Sequence, residues 1–363
     1  MTAPRTASIA PWTFDDVFDR PGSIRAMAIL RLVLGPAVLL HLWPFLTDAL
    51  AGETFRDHFW EPWFPFLPTP PGWVQLGFVW VGAAAAIGMG LGWRTRWTAW
   101  LTTACVAGNL LLSQTHFRHN RAFLVILLLT VALSDSGRVL SLDARRRRRH
   151  GRRTPSDFTT IWPMWLLRVL ASMVYLASGV SKLVDPDWFG GLVLWDRAVR
   201  HAHLVSTRVP EPIAGWVVDI VTIRWVHTLT SPVAVAMELF IGVGLWLRRT
   251  RIAAVWTALV FHLSIQIAAS VEVFSVVAIA ALVIWATPAT RDRSLTVDAT
   301  TKTARWIRRL DWLGRFEVHS VPGATLSMVD RDGSTHSGRE ALWMVCSRLP
   351  LTFPVAAPRQ WFR

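Results

Sequence analysis

The chain has 363 residues, 52% of them hydrophobic and 17% charged, with 22 tryptophans and a formal net charge of +14. So much apolar character with so little charge lies outside the range of soluble globular domains. The arginines stand in short runs beside apolar segments, the pattern of positive-inside topology, which argues against nucleic acid as a partner.

Residues 1–24 read as a cytoplasmic N-terminal segment. Pro4, Pro11, Pro21 and several acids leave no short apolar core with a small-residue cleavage site, so no signal peptide is expected. From 25 to 290 the apolar runs reach or approach the ~20 residues that cross a bilayer. Transmembrane helices are predicted at 26–49, 73–93, 97–115, 122–136, 160–183, 229–247, 252–270 and 273–288. An aromatic loop (Phe55, Phe59, Trp60, Trp63, Phe64, Phe66) follows the first, and a polar turn from His116 to Arg121 precedes the fourth. A loop of about thirty residues carrying Trp188 and Trp195 follows the fifth, and an interfacial helix at 213–227 leads into the sixth.

The arginine groups at 94–96, 138–153, 248–251 and 291–293 fall on one side of this arrangement. That side, and both termini with it, is expected to be cytoplasmic in a multi-pass protein of the plasma membrane, with Glu53, Asp57 and Glu61 outside. The run Arg145 to Arg149 reads as a topology anchor that attracts anionic lipid. Residues 294–363 turn soluble: a strand, a basic helix near 300–313, a hairpin turning at Asp332-Gly333 and a helix near 338–348. The expected fold is therefore an all-α polytopic bundle of about eight transmembrane helices with a small C-terminal α/β domain.

Only two of the 38 basic residues are lysines, and one of them, Lys182, ends the fifth apolar segment. Tyr175, the chain's only tyrosine, lies seven residues before it and Arg168 a further seven, with Ser172 and Ser178 between. This spacing puts all five on one helical face. A lysine in an arginine-rich chain points to a need for a group that can lose its proton. Such a stripe faces the bundle interior or a water-filled cleft; it either binds helices together or does chemistry.

Glu238 in the sixth segment and His262 and Gln266 in the seventh are ionisable or polar at membrane depth and need partners. Glu238 is expected to pair with His262 or Arg168, or these groups line a polar cavity. His116 and His119 have an H-x-x-H spacing with no third ligand, so no metal is predicted; they and Arg118, Asn120 and Arg121 are candidates for an outer-face pocket. The aromatic loop is read as an interfacial belt or as the wall of a quinone-like pocket. Two cysteines, Cys105 and Cys346, form neither a Cys-x-x-Cys pair nor a metal site.

The segment Tyr175-Leu-Ala-Ser-Gly-Val-Ser-Lys-Leu183, followed by Asp187-Trp188 and Gly190-Gly191, resembles the HTTM (horizontally transferred transmembrane) family, the membrane domain shared with vitamin K-dependent gamma-carboxylase. Arg25 to Arg31, the stretch from Arg121-Ala-Phe-Leu to Ser141-Leu-Asp143, and Phe261-His262 extend the likeness over roughly residues 20–290. Asn120-Arg121 departs from it, standing where the carboxylase has an Asn-His pair. The resemblance implies that Lys182 is the base that deprotonates a reduced, vitamin K-like quinone at the outer face. Tyr175, Ser178, His119, Asn120, Arg121, Trp188, Glu238 and His262 are the candidate pocket residues.

The tail, through Thr303-Ala-Arg-Trp-Ile-Arg-Arg-Leu-Asp311, Asp330-Arg-Asp-Gly333 and Gly338-Arg-Glu-Ala341, resembles DCC-type thioredoxin-like thiol–disulfide oxidoreductases. Val297-Asp298-Ala-Thr-Thr301 stands where they carry the Cys-x-x-Cys, so the resemblance implies a redox-silent domain. Two readings of the whole follow. One is a quinone-dependent carboxylase or oxidoreductase with Lys182 as base, acting on a lipid-soluble small molecule. The other is a non-enzymatic membrane scaffold or peptide-maturation partner. The identity of any protein or peptide partner is not written in the sequence.

Overall fold

A computed structural model describes residues 21–151, 156–268, 273–287 and 292–356. Most of the N-terminal segment, Arg152, Arg153, Arg291 and the last seven residues lie outside the described residues. The membrane part runs through α1 (Arg25–Leu50), α2 (Gly72–Leu91), α3 (Thr95–Leu111), α4 (His119–Leu133), the short α5 (Leu142–Arg149) and α6 (Trp162–Leu183). It continues through α7 (Pro186–Phe189), α8 (Leu192–Arg200), α9 (Ala202–Arg208), α10 (Glu211–Val221), α11 (Arg224–Gly244), α12 (Arg251–Ala268), α13 (Phe274–Ala281) and α14 (Val283–Ala286).

Among the described residues, α1, α2, α6 and α11 are long and apolar enough to cross a membrane, and α4, α12 and the α13–α14 pair are apolar but shorter. The apolar elements lie close to the segments read from the sequence, with two differences. The loop after α6 is not irregular: it folds into α7, α8, α9 and α10, with α10 at Glu211–Val221 instead of 213–227. The next helix begins at Arg224, earlier than 229, because Pro232 sits inside it without ending it. At membrane depth, neighbouring helices hold a backbone that a proline leaves short of a hydrogen bond.

Neighbouring long helices run antiparallel. Small residues set their spacing: a Cβ on Gly35 of α1 would lie 2.8 Å from Gly90 Cα of α2, so these backbones nearly touch. One end of the bundle gathers the start of α1 and the ends of α2 and α14, and its buried arginines finish those helices. Arg31 donates through Nη1 to Met89 O (2.7 Å) and Gly90 O (2.8 Å) and through Nη2 to Leu140 O (2.6 Å). Arg168 donates through Nε and Nη2 to Ile284 O at 3.1 and 2.6 Å, lying over the rings of Trp165 and Trp285. Arg251 caps α11 through Leu245 O and Trp246 O. The last carbonyls of a helix lack intrahelical partners and carry partial negative charge. A planar guanidinium reaches two of them at once, which an ammonium does less well.

At the same end Asp143 caps α3: its carboxylate accepts from Arg94 N (2.9 Å), Thr95 N (2.8 Å) and Thr95 Oγ1 (2.7 Å). Burial pushes this carboxyl up, but the Thr95 and Arg94 donors outweigh it and hold it below the ordinary carboxylate range.

The C-terminal part is a mixed four-stranded sheet of β3 (Ser294–Val297), β4 (Glu317–Ser320), β5 (Ser327–Val329) and β6 (Thr335–Ser337); β1 (Pro21–Ser23) and β2 (Phe158–Thr160) form a separate ribbon. The order is β4-β3-β5-β6, with β3 parallel to β4 and the other pairs antiparallel. Two helices, α15 (Lys302–Leu310) and α16 (Gly338–Arg348), pack on it, and α17 (Phe353–Ala356) follows. Leu295, Ile307, Phe316, Met328, Ala341, Val345 and Leu349 form its core. Asp330 is held between Arg293 Nε (2.6 Å) and Arg348 Nη2 (3.0 Å). The sheet part is seated on the bundle: Trp256 Nε1 of α12 donates to Pro350 O (2.7 Å), and Arg315 donates to Ala286 O at the end of α14.

Candidate functional site

Along α6 the polar residues of the stripe meet four partners in turn, Ser178 and Lys182 sharing the last. Nearest the arginine-rich end, Arg168 holds Ile284 O as described. Ser172 Oγ accepts from Trp246 Nε1 at 2.8 Å, and Tyr175 OH is bonded to His262 Nε2 at 2.6 Å. Near the far end, Lys182 Nζ donates to Glu238 Oε1 at 2.6 Å and to Ser178 Oγ at 2.9 Å, and Ser178 Oγ donates to the same carboxylate oxygen at 3.2 Å. Their spacing puts these groups on one face, and α11, the turn after it, α12 and α14 supply the partners.

The expected pairing of Glu238 with His262 or Arg168 is not what forms. Glu238 takes Lys182, His262 takes Tyr175, and Arg168 takes a backbone carbonyl. Helix register is the reason. Gly179 lies against Leu239, and Gly242 against Leu176, so α6 and α11 pack closely in an antiparallel register that sets Lys182 opposite Glu238. Glu238 is buried about 20 Å of helical rise into α11. Because α11 starts well beyond the end of α6, that depth coincides with the last turn of α6.

The Lys182 side chain is 18% exposed and the Glu238 side chain 5%. Lys182 therefore points neither into open solvent nor away from the bundle. Its ammonium lies 4.8 Å from the centroid of the Trp188 ring, which also faces the guanidinium of Arg197 at 5.3 Å. Trp188 is thus held by two cations. Arg197, on α8, was not singled out in the sequence, since nothing in its local pattern marks it. Two buried polar atoms of the cluster have no hydrogen-bond partner: Glu238 Oε2 and His262 Nδ1.

His119, Asn120 and Arg121 lie at the start of α4. Arg121 donates from Nη1 to His116 O (2.9 Å) and lies over Phe45, which also packs on His116. His116 Nδ1 is bonded to Asn109 O at 2.9 Å, and His119 packs on Phe117, which in turn meets Trp63 of the aromatic loop. These described contacts belong to the corner where α1, α3 and α4 meet. Its link to the α6 cluster is a crevice shared by Phe123 of α4, Tyr175, Phe274 and Trp285. That crevice is apolar and has about 20 Å³ of interior room, enough for one water and too little for a quinone ring. A reduced quinone does not fit beside Tyr175 in this arrangement.

Among the described residues no group of three or more His, Cys, Asp or Glu side chains could hold a metal ion. The cysteines are free and separate, Cys105 in α3 and Cys346 in α16. Before α15, Asp298 accepts from Thr300 N (2.8 Å) and Gly323 N (2.8 Å), a turn-forming role.

Compared with known families, the chain matches the HTTM domain over residues 19–289. No curated protein and no solved structure matches it.

Proposed function

The chain belongs to the HTTM family, and from that premise we propose a membrane-embedded acid–base site in which Lys182 and Glu238 act as one proton-accepting unit. The observation that carries this reading is the 2.6 Å hydrogen bond between Lys182 Nζ and Glu238 Oε1. Two opposite charges in a dry site carry a large desolvation cost, and moving the proton along that bond leaves a neutral amine and a neutral acid. The amine then takes a proton from an O–H of a lipid-soluble weak acid, becoming ammonium beside the new anion, which it stabilises. Trp188 closes one side of the site with an aromatic face that suits a cation or a flat ring.

The substrate class favoured by the family relationship is a reduced, vitamin K-like quinone, and the gamma-carboxylase chemistry is its closest analogue. The room beside Tyr175 is too small for it, so this reading requires entry from the Lys182–Trp188 side. In the same reading the bundle crosses the plasma membrane eight times, the arginine-rich end and both termini are cytoplasmic, and Lys182 faces outward. The tail is a DCC-like, thioredoxin-type domain without a dithiol. Its strand order and Asp298 in place of a cysteine support this.

A second reading has its own support: every polar group of the stripe has a partner outside α6, as a scaffold without chemistry requires. Lys182→Arg separates the two. It keeps the charge and the pairing with Glu238 but has no accessible neutral form. Reconstituted protein is assayed for oxidation of a reduced naphthoquinone under oxygen, and copurified lipids are identified by mass spectrometry. Turnover by the native chain, lost in a folded Lys182→Arg variant, supports the base; equal turnover in both overturns it. No turnover together with a copurified peptide favours the scaffold.

A further inference from the structure

A second cavity lies away from this site, at the arginine-rich end, between the start of α3, the end of α4 and α5. Its volume is about 350 Å³. One wall is cationic, formed by Arg96, Arg138 and Arg147; the other is apolar, with Trp100 and Leu133. Trp100 and Leu133 are 40% and 41% exposed on the outside of the bundle, so the apolar wall continues onto the lipid-facing surface.

The two carboxylates at this cavity are already engaged. Asp143 accepts the three donors that cap α3, and Asp135 takes Arg138 at 2.7 Å. Arg96 and Arg147 make no ion pair among the described residues, and Arg147 Nε is buried without a partner while its Nη2 holds Gly137 O. Arg96 and Arg147 (the latter drawn toward Asp143 without a hydrogen bond to it) stand over a cavity with an apolar strip leading out of it along the helices, which suits a phosphodiester with an acyl chain attached. The neighbouring Arg145, Arg146, Arg148 and Arg149 are absent from the cavity wall and provide only a diffuse field.

We infer that this cavity seats one anionic phospholipid, its phosphate on Arg96 and Arg147 and an acyl chain along Trp100 and Leu133. The seat is independent of the Lys182 chemistry.

The full-length chain is reconstituted in phosphatidylcholine nanodiscs, phosphatidylglycerol is added stepwise, and retained lipid is counted by native mass spectrometry. One phosphatidylglycerol per chain is expected to be retained preferentially. Arg96 makes no hydrogen bond that the fold uses, so Arg96→Gln keeps the corner intact and should weaken retention about tenfold. The double variant Arg146→Gln, Arg148→Gln removes more charge from the same end but leaves the cavity wall whole, and should change retention less than about twofold. An equal loss in both variants means diffuse attraction and overturns the seat. Displacement of the lipid by millimolar inorganic phosphate, with Trp100→Ala and Leu133→Ala neutral, would mean that a free phosphate occupies the cavity and likewise overturns it.

Discussion

At the arginine-rich end of the bundle, Arg31, Arg168 and Arg251 each give forked donors to helix-terminal carbonyls. At the other end the buried charge of Lys182 meets side chains, Glu238 and Ser178, with Trp188 over it. A guanidinium on a carbonyl has no proton to trade. An amine on a carboxylate is the pair on which the proposed acid–base reading rests. The same cost of burying a cation is thus met by a backbone joint at one end and a side-chain ion pair at the other, and the ion pair sits where the chain uses one of its two lysines.

The largest effect expected from breaking this contrast is at Arg31, fully buried and holding three carbonyls. Arg31→Leu strands them and should cost on the order of 4 kcal/mol, read as a lowered melting temperature in detergent. Arg31→Lys should recover only part of that, because an ammonium lacks the fork. Full recovery would dissolve the distinction drawn between the two ends.

Next comes the ion pair. Glu238→Gln and Lys182→Met should each cost about 2–4 kcal/mol by leaving one charge buried alone. The double variant should cost clearly less than their sum, by about 1–3 kcal/mol. Additive losses would show that the pair is not coupled.

In the sheet part Asp330→Asn removes the anion between Arg293 and Arg348 and should cost about 2–3 kcal/mol, after allowance for the partial exposure of Arg348. Burial raises the Asp330 carboxyl, but the Arg331 backbone donor, Arg293 and Arg348 outweigh it and hold it below the usual range. A carboxyl depressed in the folded state contributes stability that is complete above the ordinary value of 3.8 and fades as pH falls through and below it. Unfolding of the sheet part followed by tryptophan fluorescence should therefore sharpen below about pH 4 in the native chain, and Asp330→Asn should flatten that acid limb.

The smallest change is at Tyr175, where Phe should cost about 1 kcal/mol by leaving His262 without its partner, seen in chemical denaturation.

Apolar periodicity placed the long helices to within a few residues, and Asp332-Gly333 placed the hairpin between β5 and β6, because both signals are local. The α6 stripe was legible for the same reason: spacing of seven fixes a face. Partner choice was not. Glu238 meets Lys182 only because small residues at Gly179 and Gly242 let two helices slide into one register, and that register is a property of the pair. Between α6 and the interfacial helix the sequence reads as a loop, because Gly190, Gly191 and Pro210 break it into pieces too short for periodicity to show. Capping of helix ends by Arg31 and Arg168 spans 58 and 116 residues of sequence and left no local trace.

The indole of Trp256 and the guanidinium of Arg315 fasten the C-terminal sheet to two different membrane helices. A body moored at two points cannot swivel like a bead on a thread. Its orientation is inherited from α12 and α14, so a tilt of either helix would turn the whole sheet, and a grip on the sheet would be felt inside the bilayer.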